Sequence, residues 1–246
     1  VERSFRPRSR SNTPDNCSAS SMSPSPAPAA APPSAMAARK KTALLVVDLQ
    51  RDFVAGGSLA VPHGEEVVGP VNALLERDHF AAVVFTKDWH PPGHASFASS
   101  HPGRSPFEEV RLPSGAPQTL WPDHCVQGTP GAEFVDGLRA VDGAAVVEKG
   151  TKPEADSYSG FWDNERANQT ELEQVLRQRG IEKVVVCGLA TDYCVGYTAL
   201  DALSAGFETV VLEDASRGID AGGVQSMLAR IEKAGGQIAK SDSYLA

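Results

Sequence analysis

The chain has no apolar run long enough to cross a bilayer. It has no excess of positive charge either: 31 acidic side chains face 23 basic ones, for a net charge of −8. That balance disfavours phosphate backbones and anionic lipid, so neither nucleic acid nor a membrane is an expected partner. Cysteine is scarce. Cys17, Cys125, Cys187 and Cys194 form no C-x-x-C pair and no dense cluster. A disulfide framework and a thiolate zinc site are both excluded by that spacing, and a reducing cytoplasm suits it best. There is no internal repeat and no apolar segment of the kind that marks a secretory signal.

What is present is 246 residues, 41% of them hydrophobic, enough for one sizeable domain or two small ones. Residues 1–35 stand apart. They are rich in Ser, Pro and Ala, and Arg3, Arg6, Arg8 and Arg10 outnumber Glu2 and Asp15. So few large apolar side chains predict a disordered tail, followed by one domain over residues 36–246. Three origins compete for the tail: a transit peptide, a flexible extension, or translation upstream of a natural start at Met36. The third is favoured here, because MAARKKTALLVVDLQ reads as the opening of a compact domain.

From there strands alternate with helices. Apolar β-branched runs predict strands at Thr42–Val47, Ala81–Thr86, Gly143–Glu148, Val184–Cys187, Thr209–Leu212 and Gln237–Ala239. Helical spacing marks Glu65–Arg77, with Pro70 in its first turn, Glu171–Arg179, closed by Gly180, and a helix from about Asp220 to Ala234. The alternation predicts an α/β fold of three layers around a parallel sheet. Residues 95–130 are rich in Pro and Gly and read as a long irregular loop that walls a pocket.

The strand at Val184–Cys187 leads through Gly188-Leu189-Ala190-Thr191 into a helical pattern with Asp192 as its N-cap. Cys194 then falls in the helix's first turn. Partial positive charge there favours a thiolate, and unpaired backbone N–H groups can receive an oxyanion. The other reading is a small buried hydrophobe. Asp48 closes the first strand, where open parallel sheets gather functional groups. Asp88 and His90 have the spacing that points two side chains the same way from an extended segment, and His124 follows in Trp121-Pro122-Asp123-His124-Cys125. Such a set can hold a divalent ion, or be a solvated polar group. Lys149 ends the third strand, either as a surface residue or buried beside Asp48, where it would lower the pKa of a nearby thiol. Cys125 and Cys187 read as structural, His63, His79 and His101 as solvated, and Asp52 as a turn cap.

In this order, VVDLQRDF, KDWHPPGHASF, WPDHCVQGTPGAEF, EKG, DSYSGFWDN and GLATDYCV resemble the nicotinamidases of the isochorismatase-like hydrolase group. The resemblance runs from residue 42 nearly to the end and leaves the tail unmatched. It implies a six-stranded parallel sheet of order 3-2-1-4-5-6, which would bring Asp48 and Cys194 to one crevice. It implies Asp48, Lys149 and Cys194 as the catalytic set, and Asp88, His90 and His124 as ligands of one divalent metal ion, zinc with manganese and iron as alternatives. His94 matches a histidine that lies near the site and is not always a ligand. Phe53, Trp121 and Tyr158 match aromatic positions around the substrate ring. Leu189–Ala190 matches a cis peptide that turns the Ala190 N–H toward the oxyanion, together with that of Cys194.

The activity so implied is conversion of nicotinamide to nicotinate and ammonia through a cysteine thioester, in NAD salvage, with pyrazinamide as a second substrate. A related amidase acting on a carbamoyl or ureido substrate would not need the metal set. Isochorismatases lack the cysteine. A non-catalytic metal-binding scaffold has no support, since no member of the catalytic set is substituted. Whether the chain forms a homo-oligomer stays open.

Overall fold

The computed structural model describes residues 41–245; the tail over 1–35 lies outside the described residues. Strand β1 (Thr42–Val47) is buried along its whole length, as a continuous apolar run requires. Two 3₁₀ turns, Arg51–Phe53 and Gly64–Val67, lead into α1 (Val68–Leu75). The helix expected from Glu65 therefore opens as a tighter turn. Pro70 sits in the first turn of α1, where its missing N–H has no helical acceptor to lose. Strand β2 spans Ala82–Asp88.

The long segment that follows is not wholly irregular. It carries an antiparallel hairpin of β3 (Glu109–Arg111) and β4 (Pro117–Thr119). Each strand is three residues long, too short to show a hydrophobic period. Then come β5 (Ala145–Lys149), α2 (Leu172–Gln178), β6 (Lys183–Leu189), α3 (Gly196–Ser204) and β7 (Glu208–Arg217). The chain continues through α4 (Ala221–Lys233), β8 (Gln237–Ala239) and α5 (Ser241–Leu245). Asp220 caps α4, its carboxylate accepting the Gly223 N–H at 2.7 Å. Strand β7 runs well past the expected Leu212, because its polar second half continues the ladder beyond an irregularity opposite Val186–Gly188.

The main sheet has order β5-β2-β1-β6-β7-β8, and every neighbouring pair is parallel. This is the expected 3-2-1-4-5-6 once the two hairpin strands are left out of the numbering. Alternate side chains of β1 serve two cores. Leu44 and Val46 pack with Val71 and Leu74 of α1. Ala43, Leu45 and Val47 pack on the other face with Leu172 and Leu176 of α2, Ala199 and Ala202 of α3, and Met227 and Ile231 of α4. From β1 the chain builds outward through β2 and β5, then returns to β6 on the other side. A crevice opens where the two directions diverge, at the carboxyl ends of β1 and β6.

Candidate active site

Three strand ends deliver three charged groups to that crevice. Asp88 and Lys149 are register partners at the ends of β2 and β5. Asp48 leaves β1 with a left-handed φ of 48°, and its N–H donates to Thr86 O at 3.2 Å. The Thr86 hydroxyl donates to Asp48 Oδ1 at 2.7 Å. Lys149 Nζ donates to Asp88 Oδ1 at 2.5 Å, to Ser157 O at 2.8 Å and to Cys194 Sγ at 3.4 Å. Asp48 Oδ2 lies 2.9 Å from the same ammonium, as a fully buried ion pair. Lys149 is buried here beside Asp48, rather than on the surface.

Burial sets the protonation states. It opposes the charge on Lys149, but Asp48 and Asp88 outweigh it and raise the ammonium pKa well above its usual value. Burial also opposes the charge on Asp88; Lys149 and His90 overcome it and hold that carboxyl far below the ordinary range. Asp48 goes the other way: burial raises it more than Lys149 lowers it. The Cys194 thiol is pushed well up by burial, with Lys149 pulling down and the two carboxylates pushing up. Lys149 therefore acts on the thiol in the direction the sequence suggested, yet burial outweighs it. That direction favours the thiol over the thiolate, and the Asp48 carboxylate lies within 4.8 Å of the sulfur.

The turn carrying Cys194 differs from the expected helix start. Thr191–Val195 is a wide π-type turn, with Tyr193 outside helical geometry at φ −126° and ψ −105°, and α3 begins only at Gly196. Asp192 does not cap it. Its carboxylate instead receives the Ile219 and Asp220 N–H groups ahead of α4, at 3.0 and 2.9 Å. The Leu189–Ala190 bond is cis. The Ala190 carbonyl accepts from Tyr193 N at 3.0 Å and Val195 N at 3.1 Å.

A second group lies on the far side of Asp88. His90 Nδ1–H donates to Gly150 O at 2.8 Å, and His124 Nδ1–H donates to Pro122 O at 2.8 Å. A carbonyl only accepts, so both rings carry a proton on Nδ1 and turn Nε2 inward. Those Nε2 atoms lie 3.7 and 3.8 Å from Asp88 Oδ2. His90 Nε2 is buried without a hydrogen bond. Gly150 permits the arrangement: at φ +62°, a Cβ there would lie 2.3 Å from His90 Cε1. One carboxylate oxygen and two imidazole nitrogens, oriented from behind, suit a divalent cation. His94 stacks on His90 with ring centroids 4.2 Å apart. Its own nitrogens face the Ser96 hydroxyl at 2.7 Å and Ala155 O at 3.2 Å.

Between the two groups lies a narrow, mostly apolar pocket. Phe53, Trp121, Tyr158 and Tyr193 wall it, and Asp88, His124, Ala190 and Cys194 reach into it.

A family model for the isochorismatase domain matches residues 42–243. The chain belongs to the isochorismatase family. Among the members it resembles is the nicotinamidase of Escherichia coli (strain K12), 48% identical over 180 residues, which span 72% of this chain and 84% of that one. The solved structure of an Acinetobacter baumanii nicotinamidase/pyrazinamidase superposes with a TM-score of 0.79 at 42% identity, covering 83% of this chain and 98% of its own. The pyrazinamidase of Pyrococcus horikoshii in complex with zinc superposes with a TM-score of 0.68 at 39% identity, covering 81% of this chain and 99% of its own.

In this isochorismatase-family chain, several residues meet at the site that no motif reading singled out. Tyr193, Leu59, Val61 and Ile219 line the pocket, as does Asp156, whose Oδ2 accepts from Gln118 Nε2 of β4 at 2.9 Å. Tyr193 and Asp156 lie inside the GLATDYCV and DSYSGFWDN blocks, the second of which reads as a turn-rich pocket segment; Leu59, Val61 and Ile219 have no local pattern that would mark them, and long-range packing brings them there. The remaining histidines depart in part from expectation. His63 is exposed, but His79 is half-buried against Phe80 and Tyr244, and half-buried His101 donates to Ala95 O at 2.8 Å. Cys187 is buried in β6 as expected. No helix among the described residues is long and apolar enough to cross a membrane.

Proposed function

We propose that this protein is a nicotinamide amidohydrolase, releasing ammonia and nicotinate from nicotinamide as a step of NAD salvage, and that it also cleaves pyrazinamide. The observation that carries this is Lys149: one buried ammonium touches Asp48, Cys194 and Asp88 at once. It thereby joins a nucleophile and its base to a cation site, beside the pocket that Phe53, Trp121 and Tyr158 line.

Asp88, His90 and His124 would hold one divalent ion; their oxygen and imidazole donors suit zinc, manganese or iron, and we propose zinc because the related Pyrococcus horikoshii pyrazinamidase is a zinc complex. When bound, the ion supplies a fixed attachment for the ring nitrogen and so orients the substrate. Phe53, Trp121 and Tyr158 hold the ring flat. Asp48 takes the thiol proton as Cys194 Sγ bonds to the carboxamide carbon. The oxygen, now negative, is received by the Ala190 and Cys194 N–H groups. Asp48 returns the proton to the nitrogen, the C–N bond breaks, and ammonia leaves a thioester. Water then adds to that carbon, giving a proton to Asp48. Sulfur departs, regains the proton, and nicotinate is released. Lys149 stays charged throughout and keeps Asp48 in place. The unpaired thiols fit a cytoplasmic setting.

The test is ammonia release from nicotinamide, pyrazinamide and a panel of carbamoyl and ureido amides, each with and without a chelator. Preference for the two ring amides, lost on chelation, is the expected result. Equal turnover of ureido substrates, unaffected by the chelator, would refute the assignment.

A further inference from the structure

The turn after β1 touches the backbone around all three proposed ion ligands, through two side chains that have no role in the reaction above. Gln50 is fully buried. Its Oε1 accepts the Asp88 N–H at 2.7 Å, and its Nε2 donates to Asp88 O at 2.8 Å and to Ala132 O at 2.9 Å. Both main-chain polar groups of Asp88 are thus clamped by one amide. Asp52 does the matching work on the other side. Its Oδ2 accepts the Cys125 N–H at 2.7 Å, and its Oδ1 accepts the Ser58 N–H at 3.4 Å. Cys125 directly follows His124, has a left-handed φ of 46°, and accepts the His90 N–H on its carbonyl at 3.0 Å. Holding the Cys125 amide therefore holds the peptide between His124 and His90.

The Pro130–Ala132 turn locks both clamps. Ala132 supplies the second acceptor for the Gln50 amide. Gly131 leaves room for the Asp52 carboxylate, since a Cβ at Gly131 would lie 2.1 Å from Asp52 Oδ2. The carboxylate is the free end of a side chain, so a methyl group there would displace it and spare the main chain.

We infer that Gln50 and Asp52 are positioning residues for the divalent ion: Gln50 sets Asp88, Asp52 sets His124 and His90 through Cys125, and Gly131 keeps Asp52 in reach. This rests on the ion site proposed above. Ligands held from behind in this way bind metal more tightly, and loss of such support costs about 10–100-fold in affinity.

The experiment measures Zn²⁺ dissociation constants of the full chain by competition with a chromophoric chelator. The Co²⁺ absorption band reports ligand geometry, and the melting temperature of the ion-free protein reports folding. Asp52→Ala and Gly131→Ala are expected to weaken Zn²⁺ about 10–100-fold and to shift the Co²⁺ band, with ion-free melting near that of the unsubstituted protein. Asp52→Asn, which keeps an acceptor for Cys125, should recover much of the loss. Gln50→Glu, which keeps one acceptor and removes both donors, should weaken Zn²⁺ by at least as much. Should it fail to fold, the two rim variants still decide. Unchanged Zn²⁺ affinity and Co²⁺ spectrum in Asp52→Ala and Gly131→Ala would overturn the inference alone. A wild-type chain that binds neither ion would overturn the site and the inference together.

Discussion

At the amino ends of the central strands, Lys41 pairs with Glu182 and Lys183 with Glu208, and three of these four side chains are more than half exposed. At the carboxyl ends of the same sheet, Asp48, Asp88 and Lys149 form a cluster closed to solvent. Both ends pair lysine with carboxylates, and the chemistry differs. Exposed pairs sit in high dielectric, where attraction and side-chain entropy nearly cancel. Within the crevice each charge depends on its partners, because water no longer screens or replaces them. One end of the sheet tolerates substitution; the other has its protonation states set by burial.

The sharpest way to break this contrast is Cys194→Ala. It should lower turnover on the order of 10⁴–10⁶-fold while the proposed divalent ion stays bound, read by ammonia release and metal analysis. Turnover near wild type would remove the covalent route. Lys149→Met comes next: two carboxylates lose their cation, so unfolding free energy should fall by about 3–5 kcal/mol in a denaturant titration, along with activity. His124→Ala should lower metal content and raise the KM for nicotinamide.

A milder prediction concerns pH in the ion-free protein. Burial and the neighbouring His90 push the His124 pKa down to about 4. The unfolded chain takes up that proton near pH 6.5 and the folded chain resists it, so stability falls as pH drops from about 6.5 toward 4. His90 acts in the opposite sense: Asp88 overcomes burial and raises its pKa, so its contribution is full below the unfolded pKa and is lost as pH rises through the folded one. His124→Asn removes the first effect and, with it, the repulsion between the two imidazoles. Stability at pH 5 relative to pH 8 should then improve by about 2 kcal/mol over wild type, measured by ion-free denaturant melts. The smallest effect belongs to the opposite end of the sheet, where Glu182→Gln should change stability by less than about 1 kcal/mol and leave turnover alone.

Much of the layout was legible before any coordinates, because the strands of a doubly covered sheet are long apolar runs and their ends are marked by polar residues such as Asp48, Asp88 and Lys149. The family resemblance supplied the strand order. The β3–β4 hairpin was not legible, since three-residue strands carry no period. The start of α3 was misread because Asp192 has the right type and place for a cap, yet it finds better donors at Ile219 and Asp220, far along the chain. Gln50 was passed over because a buried amide declares itself only through what it touches. The thiol's protonation went unforeseen for the same reason: a helix terminus and a lysine are visible in a sequence, and a low dielectric is not.

The wide turn over Thr191–Val195 has a consequence for anyone who edits or transplants this site. Val195 N–H reaches back five positions to Ala190 O, where an ordinary helix reaches four. The count of residues in that stretch is therefore as specific as their identity. Removing a single one would turn the residues before it about 100° around the axis relative to α3. Shuffling nearby side chains is the safer operation, and a borrowed scaffold must import the whole loop.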